Sequence, residues 1–460
     1  MMLALFWIYQ FSLKLILNRF LNLMKRIFLL SAFLITSLFQ INIKAQCPVS
    51  GWASQNGVTD GGSAAPTVVT TYDQLKAAVN STAVKVIHIS GQITFPAAGR
   101  LTLNNQTGKS ILGLAGAKLI SVDLTSGGSG ILYAKNSSNI LIRNITFEGP
   151  GAYDVDGNDN LTLDNCTSVW VDHCTFQDAL DGNLDIKNAS DLITVTWTKF
   201  QYLKAPIPGG SGGSNDHRFS NLFGSGDDAV QDEGKLRITM QYCWWGPGVR
   251  ERMPRVRFGK VHLLNNYFNS SVSNYCIYAG FKADLLIEGN YFENVKNPIR
   301  LETGTFTAAQ LVSNTFSGAS GTMVGSGTAF TPPYTIDKIA STDVKQTVMA
   351  GAGAVLLQPT DCFFLATGEV NSKINSAASF YPNPASEKIS LRVFSKENNQ
   401  PVQISVKDFS GKSEGVVYNG TLNKGDNVID AISINHIGKG VKLFQVKTND
   451  NSFVQKVIIK

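Results

Sequence analysis

One phrase recurs along the middle of the chain and restricts its fold more than any other feature. Aligned on a closing aromatic, it reads NILIRNITF to Phe147, SVWVDHCTF to Phe176, DLITVTWTKF to Phe200, ITMQYCWW to Trp245, VHLLNNYF to Phe268, LLIEGNYF to Phe292 and QLVSNTF to Phe316. Most steps between these aromatics are close to 23 residues. Within each phrase apolar and polar residues alternate, the period of a strand with one buried face. Asn266, Asn290 and Asn314 stand two residues before the aromatic, with Cys174 and Cys243 in the same column. A strand repeat of this length with no helical period is that of a solenoid, since each unit buries its apolar face only against its neighbours. The expected fold is all-β: a right-handed, single-stranded parallel β-helix in which the asparagines hydrogen-bond along the stack. The longer gap from Phe200 to Trp245 is expected to be one coil carrying a long loop. TYDQLKAAV (Thr71–Val79) is the best helix candidate and is expected to cap the N-terminal end.

The ends of the chain differ from this middle. Met24-Lys25-Arg26 precedes IFLLSAFLITSLFQINI and Lys44-Ala45-Gln46, the basic, apolar and small-residue sequence of a secretory signal peptide. The expected organisation is a mis-assigned start at 1–23, a signal peptide at 24–45, a β-helix at 46–365, a linker at 366–378 and a small β-sandwich at 379–460. The net charge of +6 falls to about +1 once the five basic residues of 1–46 are removed, and the middle of the chain is slightly anionic. That balance argues against binding nucleic acid or a membrane by bulk charge. The six cysteines contain no CxxC pair, so they point to no zinc site; Cys47 and Cys362 bracket the large domain.

Against this background three clusters stand out. DVDGNDN supplies Asp154, Asp156 and Asp159, and DGNLDIK supplies Asp181, Asp185 and Lys187. Asp159 and Asp185 are about one coil apart, and neighbouring coils are separated by about 4.8 Å, so their carboxylates should converge. Like charges at that distance need a cation, and an all-oxygen set suits Ca²⁺. The third cluster is VRERMPRVRFG, with Arg250, Arg252, Arg255 and Arg257 around Pro254, together with Lys204 in KAPIPGG. Cations beside a calcium site suit a polyanionic substrate, whose carboxylates would bridge the metal and the basic side chains.

In VWVDHCTF, DGNLDIKNASDLITVTW and RMPRVRFGKVHLLNNYF the chain resembles the pectate lyases of polysaccharide lyase family 1, over roughly residues 50–350. The resemblance implies calcium-assisted β-elimination of α-1,4-linked polygalacturonate to 4,5-unsaturated products. The family's RxPxxR motif maps to Arg252, Pro254 and Arg257, making Arg252 the base that takes the C5 proton. Arg257, Lys187 and Lys204 are implied as substrate-binding residues, and Asp159, Asp181, Asp185 and Asp156 as calcium ligands. Trp170, Asp172 and His173 read as structural. The YPNPAS segment and the closing strand of the C-terminal region resemble the type IX secretion sorting domain, which implies export to the cell surface or medium through that machinery. A monomer is expected. The competing readings are a pectin lyase, a polygalacturonase (to which GDDAVQD offers an echo) and a β-helix that only binds glycans.

Overall fold

The computed structural model describes residues 49–57, 59–356, 378–381, 385–408, 413–449 and 452–459. The signal peptide, the start before it, Cys47, Cys362 and all but the last residue of the expected linker lie outside the described residues.

Among the described residues three parallel sheets of ten, nine and eight strands run the length of the repeat. Each strand pairs with its equivalent one coil earlier and one coil later. Thus Thr167–Asp172 lies between Ser138–Arg143 and Asp191–Thr196. This is the expected parallel β-helix. The stretch from Phe200 to Trp245 is a single coil: Lys199 pairs directly with Trp244, and Leu222–Phe223 supplies that coil's strand in the eight-stranded sheet.

The aromatics that mark the repeat form one column inside the coil. Phe147, Phe176, Phe200, Trp245, Phe268, Phe292 and Phe316 stack in turn, with ring centroids 4.4–5.5 Å apart. The asparagine column closes the adjoining turn. Asn266 Nδ2 donates to Asn290 Oδ1 at 3.0 Å, and Asn290 Nδ2 donates to Asn314 Oδ1 at the same distance. Cys243 enters the column through its backbone N–H, which donates to Asn266 Oδ1 at 2.8 Å. These side chains satisfy buried backbone donors at a turn that the sheets leave unpaired.

The residue just before this column is left-handed in successive coils: Asn144, His173, Trp197, Tyr242, Asn265, Gly289 and Ser313 all have φ between 46° and 62°. One such residue turns the chain from the ten-stranded to the nine-stranded sheet. Packing of the coils above and below offsets the local cost to the bulky members. The four described cysteines, Cys166, Cys174, Cys243 and Cys276, are buried free thiols packed in the coil interior.

The helix Tyr72–Asn80 forms where expected, with Thr71 as N-cap and Leu75, Ala78 and Val79 buried in the solenoid core. Lys109 ties down its other end. The fully buried ammonium donates to the carbonyls of Ala78, Val79 and Ser81 at 2.8–3.1 Å. Burial pushes its pKa down to about 8. The last segment of the C-terminal region forms antiparallel sheets of three and four strands around Phe380, Leu391, Ile404 and Phe444, a small β-sandwich.

Candidate active site

The eight-stranded sheet carries the acidic cluster on its outer face. In the strand Leu184–Lys187, Leu184 and Ile186 are buried in the core, which directs Asp185 and Lys187 outward. Thr162 pairs with Asp185 from the preceding coil, and its hydroxyl donates to Asp159 Oδ2 at 2.7 Å, bringing Asp159 over the same place. Gly182 lies between the two carboxylates: a Cβ on it would sit 2.6 Å from Asp159 Oδ1 and 2.8 Å from Asp185 Oδ1. Asp181 adds a third carboxylate, oriented by His217, whose Nε2 is 2.7 Å from Asp181 Oδ1.

Electrostatics agree with this convergence. Burial, and then the charge of Asp181, pushes the Asp159 carboxyl up to about 7. Asp185 is pushed well above the ordinary range by burial and by Asp159 and Asp181, with Arg252 pulling the other way. Two carboxylates that resist ionisation, Asp159 and Asp185, with the Asp181 carboxylate acting on both and a glycine between them, fit an oxygen-preferring divalent cation. As the side chains stand, no three His, Cys, Asp or Glu groups among the described residues close into a ready-made metal cage.

A pH dependence of stability follows. The folded Asp159 carboxyl titrates at about 7, against ~3.9 in an unfolded chain, so the folded state holds more protons between those values. The contribution of this group is full below pH ~4 and is lost as pH rises through ~7. In chelator the Tm should fall across that window, and calcium added at pH 8 should restore it. A flat profile in chelator would count against a shared carboxylate site.

The arginines separate into two kinds. Arg250 is paired with Asp216 at 3.3 Å, and Arg257 Nε donates to Asp227 Oδ1 at 2.6 Å. Arg252 and Arg255 have no ion-pair partner among the described residues and lie instead on aromatic faces, each 4.7 Å from a ring centroid, Arg252 on Phe219 and Arg255 on Tyr278. Arg255 is more than surface charge: its Nε is buried without a hydrogen-bond partner. Successive coils align Asp185, Leu222, Arg255, Tyr278 and Arg300 along the outer face of the sheet, one row of which Arg252 borders the acidic end.

Of the residues singled out in the sequence, the structure brings together Asp159, Asp181, Asp185, Lys187 and Arg252. Arg257 is on the same sheet but engaged by Asp227. Lys204 is turned elsewhere: its ammonium donates to the Gly149 carbonyl at 2.8 Å and lies 3.4 Å from Glu148. Asp156 is exposed, in left-handed backbone with φ 52°, and is not among the principal charges acting on Asp159 or Asp185. The first aspartate of that string, Asp154, instead receives the Ser214 N–H at 2.7 Å and fixes the long loop. Of the aspartates of GDDAVQD, Asp227 serves Arg257, and buried Asp232 accepts from the Ala189 N–H.

His173 is remote from this cluster in role and in sheet. It is buried at the turn that leaves the ten-stranded sheet after the strand Thr167–Asp172, with Nδ1 2.8 Å from Asp172 Oδ2. Burial would raise Asp172, but His173 and Arg143 outweigh it and hold the carboxyl at about 2. The residues the sequence did not single out are His217 and Phe219, in a loop whose motif has no pattern of its own. Their signal was positional, in the strand-like SNLF that follows them.

A family model described as Pectate lyase matches residues 27–356, and one described as Secretion system C-terminal sorting domain matches residues 379–460. A probable pectate lyase B of Aspergillus terreus is 31% identical over 328 residues, covering 67% of this chain and 90% of its own. Pectate lyase D of Dickeya chrysanthemi is 29% identical over 375 residues, covering 72% and 88%. Among solved structures, a Bacillus subtilis pectate lyase variant aligns over 68% of this chain and 99% of its own, with TM-score 0.53 and 22% identity. A pectate lyase of Bacillus sp. N165, solved in complex with trigalacturonate, aligns over 66% and 98% with TM-score 0.51 and 22% identity.

Proposed function

The chain belongs to the pectate lyase family, and from that premise we propose that it cleaves polygalacturonate by calcium-assisted β-elimination, with Arg252 as the base. The observation that carries this reading is an arginine free of any carboxylate partner beside three crowded aspartates.

The reaction removes the proton at C5, α to the uronate carboxylate, and expels the 4-linked oxygen, leaving a C4–C5 double bond. Asp159, Asp181 and Asp185 would hold Ca²⁺, which when bound draws electron density from the substrate carboxylate and acidifies C5. Lys187, next to Asp185 on the same outward face, binds a uronate carboxylate. Arg257 can do so by sharing or releasing Asp227. Arg252, as the neutral guanidine, takes the C5 proton on a nitrogen and becomes the guanidinium, which returns that proton to solvent, and the departing oxygen is protonated from solvent. Arginine holds its proton strongly, so the rate should rise toward alkaline pH. Lys204 and Asp156 have no part in this scheme, since neither is turned into the cluster.

For export, the C-terminal match supports passage through type IX secretion machinery, after a signal peptide at 24–45. The β-helix of 46–365, the linker of 366–378 and the sorting domain of 379–460 complete that organisation, in a protein acting as a monomer.

The test is incubation with polygalacturonate in calcium or in chelator, following ultraviolet absorbance of the unsaturated product. The expected result is a chromophore that forms with calcium and fails to form with chelator. New reducing ends without a chromophore would mean hydrolysis, and neither signal would leave a glycan-binding protein.

A further inference from the structure

We propose that the segment His217–Phe219 is a positioning arm that sets the two halves of the site against each other, Phe219 holding Arg252 and His217 holding Asp181. It rests on the lyase reading above and concerns residues to which that reading gives no role.

The arm is built into the coil stack rather than draped over it. Asn183 N–H donates to the Ser220 carbonyl at 2.7 Å, and Asn221 N–H donates to the Arg252 carbonyl at 2.8 Å. The segment therefore lies between the coil that carries the aspartates and the coil that carries the arginine. Phe219 bridges to Glu251 in parallel register, and its carbonyl accepts from the buried Tyr202 hydroxyl at 2.6 Å. Its own side chains face both neighbours. The His217 ring is buried, with Nε2 2.7 Å from Asp181 Oδ1 and Nδ1 3.0 Å from Asp154 Oδ1. The same ring packs on Phe219 with centroids 4.2 Å apart, and Phe219 carries the Arg252 guanidinium at 4.7 Å.

An aromatic face suits the task of holding a base. Arg218 and Arg237 show the alternative: hydrogen bonds to Asp216 and Asp191 raise them above the usual arginine range, fastening the proton more firmly. A ring positions the guanidinium plane and offers no acceptor for its proton. His217 does the complementary work on the acidic side, fixing one Asp181 oxygen so that the other is free to ligate.

The experiment compares Phe219→Leu, Phe219→Tyr and His217→Leu with the unaltered protein. Measured quantities are kcat and KM on polygalacturonate, calcium affinity by calorimetry without substrate, and Tm. Phe219→Leu should lower kcat about 3- to 30-fold, the span of a cation–π contact, with calcium affinity within about twofold. Phe219→Tyr, which restores the face, should recover most of the loss. His217→Leu should weaken calcium binding about 10- to 100-fold. Should leucine at 219 prevent folding, Phe219→Met is read in its place. Unchanged kcat in the Phe219 variant, a tyrosine that rescues nothing, or unchanged calcium affinity in His217→Leu would each overturn the arm. A protein inert on polygalacturonate would defeat the lyase reading instead, and the calcium titration of His217→Leu would still decide the arm.

Discussion

Arg252→Lys is expected to lower kcat on polygalacturonate by at least about 10²-fold, the usual contribution of a positioned general base. Charge is conserved in this variant, so the loss must come from geometry and proton affinity. The guanidinium is planar and lies on the Phe219 ring at 4.7 Å. A lysine ammonium is compact, strongly hydrated and without a plane to register on that face. It would also have Asp185 close by, the carboxylate on which Arg252 already acts, and an ion pair there would keep the ammonium protonated. The backbone gives no reason for misfolding. Arg252 adopts φ 60°, and lysine pays the same local cost there as arginine. With no ion pair lost, Tm should stay close to that of the unaltered protein. Arg252→Ala should fall at least as far, and should lose the rise of kcat with pH expected of the unaltered protein. Arg252→Lys with undiminished kcat would remove Arg252 from the role of base.

The fold was legible because a solenoid writes its geometry into the chain at a fixed interval. Trp245, Phe268, Phe292 and Phe316 recur about one coil's length apart, and they stack as one column. Asn266, Asn290 and Asn314 are legible for the same reason, as a ladder. The carboxylates were legible in part. Asp185 sits on a strand with alternating burial, and its direction follows from Leu184 and Ile186. Asp156 and Lys204 sit in turns and loops, where no period fixes the direction of a side chain; one is exposed and the other folds back onto Gly149. His217 and Phe219 escaped notice for a related reason. Their contacts depend on how a long loop re-enters the stack beside Asp181 and Arg252, and that register is set by hydrogen bonds with residues more than thirty positions away. Resemblance named Arg257 as a substrate clamp, but only the three-dimensional arrangement reveals that Asp227 already occupies it.

The second large effect is expected from the smallest possible substitution. In Gly182→Ala the added methyl would lie 2.6 Å from Asp159 Oδ1 and 2.8 Å from Asp185 Oδ1, closer than a carbon can approach an oxygen without one of them moving. The backbone at Gly182 is outside the left-handed region, so alanine itself is not strained there. What must move are the carboxylate ends. Asp159 Oδ1 would lose its hydrogen bond from the Gly182 N–H, now 3.1 Å, and Asp185 would be pushed from its bond to the Leu222 N–H, now 2.9 Å. The methyl also fills the gap that a cation between these oxygens needs. Calcium affinity measured without substrate should therefore fall at least about tenfold, a loss on the scale of a displaced ligand or its support. Activity at low calcium should fall with it and recover partly as calcium is raised, whereas no calcium concentration should rescue Arg252→Lys. In chelator the Tm should change little, because the methyl disturbs side-chain ends rather than the coil stack. Calcium binding as tight as that of the unaltered protein would mean that the ion is held elsewhere, and that the crowding of Asp159, Asp181 and Asp185 has another cause.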